Sequence, residues 1–488
     1  MSSVSTQVVE TGLVIGGEWR APLAGERHEI RNPANPDEIV GYAAAGGRRD
    51  AEAAIAAAGE AAPAWGALSY HERADHLRRI VSRLDDEFDE RVRLLVREHG
   101  KVLREATIEL TRLGLRFEYT ASLADRLAEE QKLEPPPLRS IVTKRPMGVA
   151  ALIIPWNWPL SILGAKLPQA LMAGNTVVIK PSSSSPLATV QTIKLMADAL
   201  PPGVINVVSG PASEVGAALL ESPLVRNVDF TGGIESGKQV MAHSAPTLKH
   251  LTLELGGNDP GIVLEDADVS DETIERMVVG AFLTAGQVCM ALKRLYVHES
   301  LYPRVVEGLI AALDRYQVGN GLDERATMGP LNNERQLRFV RELVAETRSR
   351  GATVRELGSK LNGAEFERGY FMLPTLVTEV DDSFSAVKCE QFGPLLPVMS
   401  FRTEDEAVRR ANDSSFGLCS SVWSADVERA ISVARRLEAG YSYINHHGPF
   451  AHDYRVPFGG VKQSGIGRQL GLEGVLEFVD YQSISIYQ

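Results

Sequence analysis

The sequence predicts an α/β protein built on a doubly wound parallel sheet, joined to a second α/β domain and to a β-strand arm. Three observations carry that prediction. Between Val149 and Leu255, five β-rich runs (VAALII, NTVVIK, INVVS, NVDFT and HLTLEL) alternate with helical stretches beginning near Pro159, Pro186, Ser213 and Glu235. Such alternation produces parallel strands with helices on both faces, the Rossmann-like arrangement. A second strand–helix alternation runs from about Gly257 to Tyr443 and includes RLYVHE and SVWSAD. Finally, Arg139 to Arg145 and Gly474 to Gln488 read as exposed strands at distant points of the chain.

Composition narrows the function classes. The chain has 488 residues, too many for one compact core, and an ordinary balance of 44% hydrophobic and 23% charged residues. Its 63 acids outnumber its 51 bases, for a net charge of −12, and no long Lys/Arg run occurs. Nucleic acid and anionic membranes are therefore poor partners. Three cysteines at unrelated spacings make no disulfide framework and point to a reducing compartment. The first twenty residues lack the basic start and long apolar run of a signal peptide. The apolar stretch Val149 to Gly174 is broken by Pro155, Pro159 and Pro168, so it reads as a buried strand and helix. These features predict a cytoplasmic protein.

Taken in order, the first 48 residues read as short strands and turns, and Arg49 to about Arg126 carries helical spacing. Alternating acids and arginines on those helices predict a solvated face. The run Pro135-Pro136-Pro137 breaks helix before the exposed strand. Open α/β sheets bind ligands beyond the carboxyl ends of their strands, so those ends matter most. The first strand ends in Pro155-Trp-Asn-Trp-Pro159, where Asn157 is either a functional amide or a cap for the following helix. The second ends in Lys180 and a row of serines, suited to phosphate or ribose. The fourth ends in Thr231-Gly232-Gly233-Ile-Glu-Ser236-Gly, a glycine-rich helix entry suited to a pyrophosphate. No G-x-G-x-x-G fingerprint occurs. The fifth ends in Leu253-Glu254-Leu255-Gly-Gly, an acid inside an apolar strand with the raised pKa that a general base needs. Beyond it, Thr284 to Arg294 presents Cys289 after a Gly-Gln pair, with Gly286 supplying a tight turn.

In order and spacing, PWNWPL, GNTVVIKPS, FTGGIESG, LELGG, GQVC, MGPL, EQFGP and PFGGVKQSGIGR resemble the signature set of the NAD(P)-dependent aldehyde dehydrogenase superfamily across nearly the whole chain. The resemblance implies an aldehyde dehydrogenase-like fold and oxidation of an aldehyde to its acid by a non-acylating enzyme. Cys289 is then the nucleophile, Asn157 and the Cys289 backbone N–H the oxyanion donors, and Glu254 the base for thioester hydrolysis. It also implies that Lys166 belongs to a proton relay. The dinucleotide would lie along Ile153, Trp156, Lys180, Ser182, Ser183, Phe230, Thr231, Gly232, Gly233, Ser236 and Leu255. Glu390 would hold the nicotinamide ribose, with Phe392 packed near the ring. A cofactor-independent thiol esterase using Cys289 and Glu254 is the competing enzyme class.

Some positions depart from the family pattern. Ser183 stands where NAD-preferring members carry a glutamate, so NADP is expected to be accepted beside NAD. Gly233 replaces a frequent serine and Thr284 a frequent asparagine. Gln469 replaces the glutamate that would share the relay with Lys166. Ala165 replaces a bulky aromatic, which predicts a wide tunnel, and His446, His447 and His452 are expected to shape its mouth rather than bind metal. The implied domains are 1–122 with 146–255 for the cofactor, 256–455 for catalysis, and an arm of 123–145 with 474–488 for homodimers or homotetramers.

Overall fold

The five predicted parallel strands lie side by side in an eight-stranded sheet whose order places His250–Glu254, Val225–Thr231, Val149–Ile153, Thr176–Lys180 and Ile205–Val207 as neighbours. This computed structural model describes residues 7–134 and 137–487. The expected break at Pro135 and Pro136 lies outside the described residues, as do residues 1–6 and Gln488. Antiparallel strands flank the parallel core, Gly465–Ile466 beside His250–Glu254 and Leu13–Ile15 beside Ile205–Val207. The near-continuous Val, Ile and Leu content of the central strands fits burial on both faces. Chain order reverses between Val149–Ile153 and Val225–Thr231, so the Trp156–Asn157 turn and the Gly232–Gly233 turn leave the sheet side by side. That crevice is where such sheets take ligands.

A second, seven-stranded sheet contains Asp259–Val263, Leu292–His298, Leu395–Phe401, Cys419–Trp423 and Tyr441–Ile444, all parallel. Cys419 sits buried at the start of its strand. The N-terminal helices include Tyr70–Val81, Phe88–His99 and Leu103–Ser122, which pack on the first sheet.

The third sheet is an antiparallel arm of Gln131–Leu133, Leu138–Pro146 and Val479–Tyr487. The helical spacing read to about Arg126 continues through the helix Ala124–Ala128, where Leu123, Ala124 and Leu127 bury together in the main core. One stretch differs from expectation: Gly471–Leu476 is a helix, so the C-terminal strand begins at Val479 and not at Gly474. Val475 and Phe478 are buried there, and a Cβ on Gly474 would lie 2.7 Å from the Gln169 carboxamide. Among the described residues no helix is long and apolar enough to cross a membrane.

Candidate active site

The thiol turn is built from strained backbone. Thr284 and Ala285 both adopt the left-handed conformation at φ 53°, and Gly286 follows at φ 71°. Each non-glycine residue there costs roughly 1–2 kcal/mol, so the surroundings must hold the turn. Buried Glu105 accepts the Thr284 N–H at 2.6 Å. The Gln287 side chain donates to Thr284 O at 3.0 Å and accepts the Asn332 N–H at 2.9 Å. A Cβ on Gly286 would lie 2.2 Å from Gly393 O, so only glycine allows that close approach. The Gly-Gln pair before Cys289 thus has a structural purpose. Lys293, on the other side, donates to Val288 O at 2.9 Å and to Cys289 O.

Asn157 is not a helix cap. Its Nδ2 donates to Gln287 O at 3.0 Å, which aims the amide at the thiol turn. Glu109 takes the capping place instead, accepting the Leu160 and Ser161 N–H groups at 2.8 and 3.1 Å. Lys101 is fully buried, pairs with Glu109, donates to Asn157 O at 2.9 Å and lies 4.3 Å from the Trp158 ring centroid. Acids of the Leu103–Ser122 helix therefore brace both the amide turn and the thiol turn. The expectation of a solvated face is overturned for Glu105 and Glu109, which are 4% and 0% exposed.

Glu254 closes the group. It is 4% exposed, and its Oε1 has no hydrogen-bond partner among the described residues. Burial raises its pKa well above the ordinary carboxylate value, with Lys166 pulling the other way. Lys166 is fully buried and ion-paired with Asp229, to which Gln469 Nε2 also donates at 2.8 Å. The carboxylate that position 469 lacks is thus supplied to the Lys166 ammonium by a strand residue. Burial likewise pushes the Cys289 thiol up to about 12, with Lys293 opposing.

Asn157, Thr231, Glu254 and Cys289 line one cavity, walled by Trp158, Ile162, Ala165, Val288, Met290, Phe458 and Leu470. Of the three clustered histidines only His452 reaches this cavity. His447 is buried against Ser421, its Nδ1 2.8 Å from the hydroxyl oxygen. Among the described residues no group of three His, Cys, Asp or Glu side chains is placed to hold a metal ion.

The dinucleotide side has the donors such a ligand needs. Lys180 is buried with, among the described residues, only the Pro181 carbonyl at 3.5 Å, and burial lowers its pKa to about 8. Ser182 accepts the Ser184 N–H, and Ser183 is exposed beside it. The Ile234–Ser244 helix starts after Gly233 without a side-chain cap, and a Cβ on Gly233 would meet nothing within 4 Å. Its free N–H groups and dipole end face open space, with Ser236 exposed in the first turn. Across the crevice, Trp156 and Phe392 meet edge to face at 5.6 Å. Gln336 holds the left-handed Phe392 turn by donating to Gln391 O and Phe392 O, both at 3.0 Å. Glu390 accepts the Gly257 N–H at 3.1 Å and lies 3.5 Å from Lys293, against Gly256, where a Cβ would fall 2.1 Å from Glu390 Oε2. Ile153, Phe230 and Leu255 support these turns from the sheet, and Phe230 packs on Gly232. A buried lysine without a carboxylate, an open helix start and a glycine cradle fit a dinucleotide.

Lys293 and Asp229 were not singled out from the sequence. Asp229 carried the signal that picked Glu254, an acid inside an apolar strand, whereas Lys293 had none.

On this geometry the protein is an oxidoreductase of the thiol-using, nicotinamide-linked class. The chain belongs to the aldehyde dehydrogenase family, whose model matches residues 19–484. It is 38% identical to the NADP(+) succinate-semialdehyde dehydrogenase of Escherichia coli, over 97% of each chain. It is 36% identical to the chloroplastic betaine aldehyde dehydrogenase of Beta vulgaris, over 99% of this chain and 97% of that one. A crystal structure of Staphylococcus aureus betaine aldehyde dehydrogenase with NAD+ superposes with a TM-score of 0.92 at 34% identity, covering 97% of this chain and 94% of that one. The protein oxidises an aldehyde to the carboxylic acid with NAD(P)+.

Proposed function

We propose that Cys289 is the nucleophile, Asn157 an oxyanion donor and Glu254 the hydrolytic base, with Lys166, ion-paired with Asp229, as the relay residue beside it. One observation carries this reading: three side chains from three separate elements line a single cavity next to the dinucleotide crevice. Cys289, its proton lost to solvent, attacks as the thiolate, and its Sγ bonds to the aldehyde carbon. The carbonyl oxygen becomes an oxyanion, which takes hydrogen bonds from Asn157 Nδ2 and the Cys289 N–H. Bound beside Lys180, Gly233 and Glu390, the dinucleotide supplies the acceptor for the aldehyde hydride. Cys289 is left as a thioester at the acid oxidation level. Glu254 then removes a proton from water, the hydroxide adds to the thioester carbon, and the C–S bond breaks to free acid and thiol. A panel of aldehydes followed by reduced-nicotinamide absorbance, beside an ester assay without dinucleotide, tests this. Ester cleavage alone would favour the thiol esterase.

The family relatives are named for both NAD and NADP, and the second-strand turn here bears on the choice. Ser183 is exposed at the end of Thr176–Lys180, where a glutamate would repel a 2′-phosphate. The Ser183→Glu variant should lower the NADP-to-NAD ratio of kcat/KM at least about tenfold. An unchanged ratio would remove Ser183 from cofactor choice.

The sheets suggest the division already drawn: the first for the dinucleotide, the second carrying the thiol, and the arm for self-association in a homodimer or homotetramer. Val479–Tyr487 is one of the arm's two edge strands and the longer of them, and Tyr481, Ile484 and Tyr487 are exposed along it. Long open edges of this kind invite pairing with a second copy. Ile484→Lys together with Tyr481→Lys should shift the protein toward monomer in sedimentation velocity, and an unaltered distribution would exclude this edge. Three free cysteines fit a cytoplasmic setting.

A further inference from the structure

The cavity that ends at Cys289 has a cationic mouth. Arg112 and Arg116 of the Leu103–Ser122 helix line it together with Ser161, Pro449 and His452. They stand one helical turn apart, so their like charges repel. Neither forms an ion pair among the described residues. Arg116 donates to Ser161 O, which uses one of its five N–H groups. Among the described residues Arg112 has no hydrogen-bond partner, and its guanidinium lies 5.3 Å from the Phe450 ring centroid. The nearest acids are committed elsewhere. Glu109 pairs with Lys101 and caps the Leu160 and Ser161 amides. Asp453 is turned onto Arg455, with two contacts at 2.9 and 2.8 Å. Glu254 also lines the cavity, at the thiol end. Burial and the two arginines push His452 down to about 3, which leaves a neutral ring. Its Nδ1 lies 3.5 Å from the Tyr443 hydroxyl, while Nε2 is buried without a partner among the described residues.

This arrangement has donors and positive charge at one end, an apolar wall, and the nucleophile at the other end. A neutral aldehyde would leave the guanidinium charges unanswered, and a cationic aldehyde would add a third like charge. The names of the relatives span both betaine aldehyde and a semialdehyde acid, so they do not decide the matter. We propose that Arg112, Arg116 and the His452 Nε2–H recognise a carboxylate at the far end of the substrate, making this a dehydrogenase of anionic aldehydes such as ω-oxo acids. Bidentate pairing of arginine with carboxylate provides both energy and orientation, presenting the formyl group to Cys289. This inference rests on the function proposed above and goes further in naming the substrate class.

The test compares kcat/KM for matched aldehydes: 4-oxobutanoate and 5-oxopentanoate, butanal and pentanal, and a trimethylammonio aldehyde. The anionic aldehydes should exceed the neutral ones by about ten- to a hundredfold, the scale of a charge-assisted hydrogen bond. Arg112→Gln should collapse the anionic-to-neutral ratio by a similar factor, mainly through KM. Because Arg116 also anchors Ser161, a second measurement uses the wild-type enzyme alone. Glutarate should inhibit competitively against the aldehyde, more strongly than butanamide and less strongly as salt rises. Equal turnover of the three classes, a preference for the neutral or cationic aldehyde, or an unchanged ratio in Arg112→Gln would overturn the proposal. Absence of reduced nicotinamide with every aldehyde would instead overturn the underlying function.

Discussion

Replacing Cys289 with alanine should abolish aldehyde-dependent formation of reduced nicotinamide, by about 10⁵-fold or more, the scale expected when a covalent nucleophile is removed. The thiol has no understudy. Cys419 is buried in its strand, and Cys389 lies exposed before the Phe392 turn, away from the cavity walls. The variant should still fold, because Cys289 is only partly buried and its turn is held by Glu105, Gln287 and Lys293. Dinucleotide binding measured by fluorescence quenching should survive, which separates lost chemistry from a lost fold. Residual turnover above about one part in a thousand would show that another group attacks the carbonyl.

The second large effect belongs to Glu254. Exchange for glutamine keeps the shape and removes the base, so steady-state kcat should fall about 10²- to 10⁴-fold. Thioester formation needs only deprotonation of the thiol, which water and hydroxide can accomplish slowly, whereas hydrolysis loses its activated water. Rapid mixing should therefore reveal a stoichiometric burst of reduced nicotinamide followed by a stall, most clearly at high pH. The sign of the wild-type pH profile follows from the same groups. Burial holds both the Cys289 thiol and the Glu254 carboxyl in their neutral, protonated forms at higher pH than usual. Each works after losing its proton, so kcat/KM should rise with pH from neutrality into the alkaline range and fall toward acid. A Glu254→Gln enzyme with no burst, or with unchanged steady-state turnover, would remove Glu254 from hydrolysis.

Much of this site was legible because its parts stand at the ends of β-runs. Asn157, Lys180, Gly232 and Glu254 each follow or terminate a run of apolar residues, where a polar group has a definite address in a doubly wound sheet. Gly286 was equally readable, since a glycine beside a lone cysteine signals a tight turn, and the structure places it at positive φ against Gly393. The bracing was not legible. Glu105 and Glu109 sit in a helix whose alternating charges look solvated, and periodicity says which residues share a face without saying what that face meets. The helix at Gly471–Leu476 was missed for a related reason: short segments take their conformation from packing more than from local pattern.

Glu105, Glu109, Arg112 and Arg116 recur at steps of four, three and four, a single stripe along one helix. The inner pair fastens the reaction apparatus and the outer pair greets the incoming molecule, so a single rod serves as both foundation and doorway. New clientele could be admitted by exchanging the two outer residues while Glu105 and Glu109 keep their hold on the reacting turns. A slip of that rod along its axis would spoil rate and selectivity in one stroke.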